Sequence, residues 1–310
     1  MTLRTGALMI KLFKRSTKWK NLDDVNLAKL KQVLLMISDD IMNVCNKYDL
    51  KCIMAYGTAL GAIRHKGFIP WDDDMDFYMS RQDYMKFLKV CEHEMGDKYI
   101  IRSVSKGDKF NIPTCHVRLK ETYYVNYGDV VLTANEPEED RGIYVDIFPL
   151  DDASDHILLR NIRGIRCLWL QFIASCINVK DSVEFLTKEK VKISNVEKKQ
   201  LSLKLNLGKF FSYKSLDEWV KKYDKVASMV CNPKSKFITC YTGYKSLKKS
   251  TFLRSDIYPC KIAEFEGRKW NVPHNFDIYL RQEYGDYMVI PKLEYRKIHP
   301  IFELDFGKYI

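Results

Sequence analysis

Apolar residues recur at steps of three and four along the segment that follows the basic start of the chain. The positions are Leu27, Leu30, Leu34, Ile37, Ile41, Val44 and Tyr48. Asp23 and Asp24 stand just before them, where carboxylates favour the positive end of a helix dipole. The spacing predicts an amphipathic helix that begins near these aspartates and packs one face against a core.

Shorter apolar runs, separated by glycine, proline and charged residues, predict strands that alternate with further helices. The predicted strands are CIMAYG ending at Gly57, DDMDFYM over 73–79, a strand pair within 110–128, and GIYVDIFPLD stopped by Pro149. The predicted helices are a short one after a turn at Thr58, one over 81–95, and one that starts at Leu216. Residues 261–300 predict a hairpin, a short helix and an irregular tail.

A basic, helical block interrupts this mixed order. Arg160, Arg163 and Arg166 stand beside apolar residues such as Trp169, and a lysine-rich stretch follows. We therefore expect an α/β (α+β) protein whose mixed sheet core is flanked by helices and carries an inserted basic helical block. The predicted divisions are a basic lead over 1–24, a core over 25–155, an insertion over 156–235, and the C-terminal part of the core domain over 236–310.

The composition of the chain indicates which cellular compartment and which class of partner to expect. The 310-residue chain has a formal net charge of +11, which favours acidic partners such as nucleotides, phosphorylated glycans or anionic lipid. Its nine cysteines include no C-x-x-C pair, which indicates reduced thiols and neither a disulfide framework nor a structural zinc site. We expect no signal peptide, and the longest apolar stretch, Ile165–Val179, is too short to span a bilayer. The expected location is the cytoplasm.

The stretch PWDDDMDF, residues 70–77, concentrates negative charge in this basic chain. Side chains alternate between the faces of a strand, so Met75 and Phe77 would anchor one face while Asp74 and Asp76 point together into a cleft. Neighbouring carboxylates repel each other, and a divalent cation held by carboxylates and substrate phosphates removes that repulsion. A solvated acidic turn is the alternative, against which the flanking apolar residues argue.

Two further elements fit phosphate chemistry. Gly57 and Thr58 at a strand end would let backbone N–H groups and a hydroxyl approach a phosphate, although most such pairs are ordinary turns. Asp146 lies opposite the apolar face of its strand, where it could cap a turn, pair with an arginine, or face a metal if this strand lies beside the first. Strand–Gly–hydroxyl, then h-D-h-D-h, then h-D-h is typical of the nucleotidyltransferase fold and of metal-assisted phosphoryl transfer.

The run YGTALGAIRHKGFIPWDDDMDF, with VDIFPLD and with EFEGRKWNVPHNFDIYLRQEYGDYMVIPK followed by His299, closely resembles the LicD family. These are phosphocholine transferases related to fukutin and the fukutin-related protein, and the resemblance covers roughly residues 25–150 and 235–300. It implies a nucleotidyltransferase-like core that transfers a phospho-alcohol, typically phosphocholine from CDP-choline, to a sugar hydroxyl of a surface glycan such as lipopolysaccharide or teichoic acid. CMP would be released, and eukaryotic relatives use CDP-ribitol.

The resemblance also implies roles for individual residues. Asp74 and Asp76 would hold Mg²⁺ or Mn²⁺, and Asp146 would complete the metal site and activate the sugar hydroxyl. Asp72 would assist. The donor-binding residues would be Gly57, Thr58, Arg64, His65, Lys66 and Trp71, although an exposed basic turn is the alternative for the three basic ones.

The C-terminal match adds an expected substrate pocket. Its residues are Glu264, Glu266, Tyr284, Asp286 and His299, with the two glutamates on one face of a strand. Tyrosines in this segment could box a quaternary ammonium through cation–π attraction, and a place in the core is their alternative.

Two other functions compete with this interpretation. A nucleotidyltransferase acting on nucleic acid would need a basic patch interleaved with stacking aromatics, and the lysines at 188–214 have few aromatics among them, so we expect no nucleic-acid partner. A non-catalytic adaptor would lay the helix at 157–179 on anionic lipid. That contact is also compatible with an enzyme that meets a lipid-linked glycan at the inner face of the cytoplasmic membrane.

Overall fold

A computed structural model describes residues 8, 9, 12, 22–126, 129, 137–188, 190–242, 247–296 and 301–310. Its strands are β1 (Cys52–Met54), β2 (Asp76–Ser80), β3 (Tyr99–Ser103), β4 (Cys115–Leu119), β5 (Tyr123–Asn126), β6 (Tyr144–Ala153), β7 (Phe237–Thr239), β8 (Thr251–Leu253), β9 (Lys261–Phe265), β10 (Arg268–Val272) and β11 (Ile301–Asp305). Its helices are α1 (Asp24–Lys47), α2 (Tyr56–His65), α3 (Arg81–Met95), α4 (Ile157–Lys188), α5 (Asn195–Phe211), α6 (Leu216–Ala227), α7 (Leu247–Ser250), α8 (Arg254–Ile257) and α9 (Phe276–Tyr284).

The main sheet is mixed. Its path is β1-β2-β6-β4-β3, and β7 and β8 extend it from the C-terminal part of β6. β2 runs parallel to β6, whereas the other pairs in this sheet are antiparallel. Helices cover the sheet, so the expected α/β (α+β) class is confirmed. The strands β7 and β8 return the chain to this sheet after the helical block, while the domain bounds given above stay a prediction.

Helix α1 begins where the sequence predicts. The Asp23 carboxylate caps it by accepting a hydrogen bond from the Asn26 backbone N–H at 2.7 Å. The apolar stripe that includes Leu30, Leu34 and Ile37 is buried in the main core. Helix α3 is capped in the same way, because the Ser80 hydroxyl accepts a hydrogen bond from the Asp83 backbone N–H at 3.1 Å. Short polar side chains therefore fix the start of both helices.

Strand β6 runs through Pro149 to Ala153, so the prediction that Pro149 ends it was wrong. The Asp146 N–H donates to Met75 O on the β2 side, and backbone N–H directions alternate along a strand. The nitrogen of Pro149 therefore faces away from β2, toward β4, whose pairing with β6 already ends at Ile147. No ladder hydrogen bond is lost there.

The predicted strand pair within 110–128 also needs correction. Both strands form, but β4 pairs with β3 and β6, while β5 pairs with β11 in a separate two-stranded sheet. The Tyr124 N–H donates to Arg141 O at 2.7 Å, which draws β5 out of line with β4. The hairpin β9–β10 and the helix α9 form as predicted.

Helices α4, α5 and α6 make up the basic block and enclose a second core. Cys167, Leu170 and Ile173 of α4 pack there with Trp219 of α6 and with Phe110, which lies just before β4. Of the three arginines that the sequence groups together on α4, only Arg166 is exposed. Arg163 is buried and donates to the Tyr241 hydroxyl at 2.8 Å, and Arg160 lies 4.0 Å from the Phe237 ring centroid.

An ion-pair network joins this block to the sheet. Arg81, at the start of α3, donates to both oxygens of Asp151 on β6 at 2.7 and 3.0 Å, and to Asp224 of α6 at 3.0 Å. Ser105 also donates to Asp224, at 2.8 Å. The guanidinium thus connects three elements at a buried junction. Throughout the described ranges, no helix is both long enough and apolar enough to cross a bilayer.

Candidate active site

Two of the predicted aspartates lie side by side on neighbouring strands. Asp76, the first residue of β2, is in register with Asp146 of β6, and the two strands are parallel. Paired positions of adjacent strands present their side chains on the same face, so the two carboxylates share one face of the sheet. Both residues are half-exposed. The strand that contains Asp146 therefore lies beside the strand that contains Asp76, which is the arrangement in which Asp146 could face a metal.

A third residue extends this row across β4. His116 is in register with Asp146, and its Nε2 lies 2.8 Å from Asp146 Oδ1. The Thr114 hydroxyl donates to the same oxygen at 3.1 Å. Because an arginine can only donate, the 3.0 Å contact between Arg118 Nη2 and His116 Nδ1 makes Nδ1 an acceptor. The His116 proton therefore sits on Nε2, which donates to Asp146.

The imidazole of His116 is held on both sides. It stacks on Tyr144, with ring centroids 4.2 Å apart and an interplanar angle of 7°, and Phe110 meets it edge-on at 5.0 Å. The Tyr144 hydroxyl donates to buried Asp129 at 2.8 Å, and burial raises the pKa of Asp129. His116 is not among the residues predicted for the site, although its alternation with apolar residues in CHVRL marks the polar face of a strand.

The acidic loop before β2 brings three carboxylates together. One oxygen from each of Asp72, Asp73 and Asp74 lies within 4.8 Å of the others. These residues precede the strand, which starts only at Asp76, so the expected strand over 73–79 begins three residues late. The reason is that β1 pairs only with residues 77–79 and leaves the preceding segment without a partner strand.

Burial still alternates through this loop as the sequence predicts. Asp73, Met75 and Phe77 are buried, whereas Asp72, Asp74 and Asp76 are half-exposed. Clustered carboxylate oxygens are the donor set that Mg²⁺ or Mn²⁺ prefers, so the residues present fit a divalent cation. Asp72 and Asp73 belong to that set as well as Asp74.

Gly57 and Thr58 occupy the first turn of α2, because β1 ends at Met54 and not at Gly57 as expected. The Thr58 hydroxyl is buried and accepts a hydrogen bond from the Asp76 N–H at 2.9 Å, so it fixes the start of β2. A Cβ built on Gly57 would lie 2.7 Å from Asp72 Oδ2. Any side chain at position 57 would therefore displace the Asp72 carboxylate from the N-terminus of α2.

The basic residues expected near the donor lie at the other end of α2. Arg64 donates through Nη1 to Tyr287 O at 2.6 Å and through Nε to His65 at 2.9 Å. Lys66 ends the helix in a left-handed conformation. Burial lowers the pKa of Arg64, and the charges of Tyr284 and Asp72 oppose that shift. Arg64 is thus within electrostatic range of the acidic loop, although its hydrogen bonds are structural.

The C-terminal residues of the expected pocket separate. Glu264 is exposed on β9, whereas Glu266 lies in the turn after β9, so the two glutamates do not share a strand face as predicted. Glu266 has a positive φ of 49° because the hairpin reverses there, and its carboxylate accepts from the Phe68 N–H at 3.0 Å. Asp286 is exposed, and His299 lies outside the described residues.

Tyr284 is the member of this group that approaches the aspartates. Desolvation raises the pKa of its phenol, and Tyr279, Glu283, Asp72 and Asp76 add to the shift, in that order. Its side chain is nevertheless 40% exposed. The charges of Asp72 and Asp76 therefore act on a phenol that solvent can also reach.

Two cations from distant segments also reach this loop. Lys31 of α1 donates to the carbonyls of Ile69 and Pro70 at 3.2 and 2.9 Å, and the charges of Asp72, Glu266 and Asp73 act on its ammonium. Arg296 stacks on Trp71, with its guanidinium carbon 4.1 Å from the ring centroid. Neither cation has a sequence signature, because each is an ordinary basic residue far along the chain from the loop.

The region that contains these residues is similar to known proteins. Residues 49–163 match the family model described as LicD/FKTN/FKRP, nucleotidyltransferase domain. The chain is 28% identical over 289 residues to a Haemophilus influenzae protein named lipopolysaccharide cholinephosphotransferase LicD, a match that covers 90% of this chain and 97% of that protein. An uncharacterized protein of Rickettsia typhi is 35% identical over 57 residues, 18% of each chain. The chain therefore contains a domain of the LicD type, and α2, the acidic loop, His116 and Asp146 all lie within it.

Proposed function

We propose that this protein is a phosphotransferase that moves phosphocholine from CDP-choline to a sugar hydroxyl of a cell-surface glycan such as lipopolysaccharide. The observation that carries the proposal is the register of Asp76 with Asp146 on parallel strands, directly after a loop in which the carboxylates of Asp72, Asp73 and Asp74 cluster. The name of the Haemophilus influenzae relative supports the choice of phosphocholine and lipopolysaccharide.

The proposed reaction exchanges the phosphoanhydride bond of the donor for a phosphate ester bond to the sugar. The sugar oxygen attacks the phosphorus that bears choline, a new P–O bond forms to the sugar, and the P–O bond to CMP breaks. Asp146 takes the hydroxyl proton. His116 and Thr114 both donate to its Oδ1, so the proton would be taken by Oδ2, and the two donors hold the carboxylate in one orientation.

The carboxylates of the acidic loop would hold Mg²⁺ or Mn²⁺ together with Asp76. A bound divalent cation would supply neutralisation of the phosphate charge of the donor. Two residues of α2 would position these carboxylates. Gly57 leaves space for the Asp72 carboxylate beside the first turn of α2, and the Thr58 hydroxyl holds Asp76 by accepting a hydrogen bond from its N–H. The N-terminus of α2, where Ala55 provides no side-chain cap, would offer backbone N–H groups to a donor phosphate.

The acceptor glycan would be lipid-linked, which would place the protein in the cytoplasm at the inner face of the cytoplasmic membrane. The ring of Tyr284, which lies within electrostatic range of Asp72 and Asp76, would face the donor alcohol and attract its quaternary ammonium.

A donor screen tests this function. CDP-choline, CDP-ethanolamine, CDP-glycerol and CDP-ribitol are each incubated with the protein, Mg²⁺ or Mn²⁺, and a lipopolysaccharide acceptor that lacks phosphocholine, and CMP release is followed. We expect metal-dependent CMP release with CDP-choline preferred. CMP release with only a different CDP-alcohol would show that choline is not the alcohol transferred. If none of the four donors gave CMP release or thermal stabilisation, the proposal would be contradicted in favour of a non-catalytic adaptor.

A further inference from the structure

The outer face of α4 is apolar although it is exposed to solvent. Leu158, Ile162, Ile165 and Trp169 follow one another at steps of four, three and four, and are 59%, 47%, 62% and 54% exposed. The opposite face of the helix is already buried in the second core. A surface helix normally presents a polar outer face, and a contiguous exposed apolar patch marks an interaction surface.

Aromatic side chains continue this stripe onto the end of α5. Trp169 lies 6.2 Å from Phe211 between ring centroids, and Phe211 lies 5.1 Å from Phe210. Phe210 is 69% exposed, and Tyr213, just beyond the helix, is 68% exposed. Tryptophan and tyrosine rings with one apolar side and one polar group suit the boundary between acyl chains and water.

The charges around the stripe have one sign. No Asp or Glu occurs from Ile157 through Lys180, and Arg166, Lys209 and Lys214 are exposed beside the apolar side chains. The carboxylates at the edges are engaged: Asp155 accepts from the Lys236 N–H at 2.7 Å, and Asp217 pairs with Lys221 at 3.3 Å. A cationic rim around an apolar stripe is complementary to anionic lipid headgroups above a hydrocarbon layer.

We propose that the outer face of α4 and the end of α5 form a membrane-docking surface that lies on an anionic bilayer. Leu158, Ile162, Ile165 and Trp169 enter the boundary of the acyl chains, and Arg166 with the two lysines meets the headgroups. The surface gives a physical basis to the membrane location proposed above and rests on that proposal only for the identity of the membrane. The inner face of the same helix packs with Phe110, which contacts His116, so the docked helix adjoins the candidate active site.

Vesicle co-sedimentation of the full chain tests the surface without donor or metal, so its outcome is independent of the donor screen. Vesicles of equal parts phosphatidylglycerol and phosphatidylcholine are compared with pure phosphatidylcholine at physiological salt. The double variant Ile162→Glu/Ile165→Glu is compared with Val25→Glu, which adds a charge at a residue of α1 that is 66% exposed. Circular dichroism checks that all three proteins fold.

We expect the wild type to bind the anionic vesicles at least ten times more tightly than the neutral ones. The double variant should lose at least tenfold in binding, and Val25→Glu should bind like the wild type. No binding by the wild type, or equal binding by the two variants, would overturn the proposal. A wild-type dimer that the double variant converts to a monomer, without vesicle binding by either, would assign the stripe to a second copy of the chain and overturn it as well.

Discussion

At the scale of single residues, the row Asp76–Asp146–His116 determines what the site can do. The contact with the imidazole N–H holds the Asp146 carboxylate in one orientation beside Asp76. In the proposed reaction this carboxylate accepts the proton of the sugar hydroxyl. The contact between Arg118 and His116 Nδ1 is as important as the contact to Asp146, because it keeps the proton on Nε2. His116 is therefore a positioning residue for Asp146.

Replacement of His116 tests this role. His116→Ala should lower kcat for CMP release by about 10- to 100-fold with little change in KM, since outer-shell partners of carboxylates and metal ligands typically contribute that much. His116→Gln, whose amide can donate a hydrogen bond, should recover part of the loss. Thr114→Val serves as the matched control for loss of the weaker donor. A His116→Ala enzyme with wild-type kcat would remove His116 from the account.

The individual acidic residues could be predicted from the sequence because alternation alone separates Asp72, Asp74 and Asp76 from Asp73, Met75 and Phe77, and the same alternation appears in their burial. The cations around them could not. Lys31 and Arg296 reach the loop only through the packing of α1 and of the C-terminal segment, and periodicity carries no information about such contacts.

At the scale of secondary structure, the first turn of α2 is the element that shapes the acidic loop. The turn starts two residues earlier than the sequence predicts, since the strand before it is only three residues long. Local patterns locate a buried strand well, but its end depends on the partner strand, here β2. The same reason explains the late start of β2 and the passage of β6 through Pro149.

The variant Gly57→Ala should move the Asp72 carboxylate without lowering the stability of the protein. Alanine favours a helix by about 1 kcal/mol over glycine, so the free energy of unfolding should stay constant or rise slightly. The added Cβ would lie 2.7 Å from Asp72 Oδ2 and displace that carboxylate, so the Mg²⁺ concentration for half-maximal CMP release should rise at least about tenfold. Metal titration of activity and chemical denaturation measure the two effects. Asp72→Asn controls for the loss of charge without displacement, and an unchanged metal dependence in Gly57→Ala would contradict the assignment of Asp72.

The buried ion pairs that join α3, β6 and α6 should contribute more to the stability of the protein than an exposed ion pair does. Asp151 is fully buried, and Asp151→Ala removes one of the two carboxylates that pair with the Arg81 guanidinium. We expect a loss of about 3–5 kcal/mol in the free energy of unfolding, because a buried charge is left only partly paired. Lys51→Ala breaks the exposed pair with Asp49 and should cost less than about 1 kcal/mol. Urea denaturation compares them, and similar values for the two variants would show that the buried junction does not hold the helical block to the sheet.

At the scale of the whole molecule, the acidic loop and the strands beside it bring together residues from the start, middle and end of the chain. The mixed class and the amphipathic helices could be predicted because they depend on periodicity within a segment. The order of strands could not, since it places β6 between β2 and β4 and sends β5 to β11. In the proposed function, the acidic loop and the start of β2 would together hold the cation that a CDP-alcohol donor requires.

The most direct test is CMP release from CDP-choline as a function of Mg²⁺ concentration for four proteins. They are the wild type, Asp74→Asn, Asp76→Asn and, as a matched control, Asp97→Asn at an exposed position near β3. The account predicts Mg²⁺-dependent release by the wild type and by Asp97→Asn, and none by the other two variants, with unchanged folding in all four. Wild-type turnover in Asp74→Asn or Asp76→Asn, or wild-type turnover that persists without a divalent cation, would contradict it.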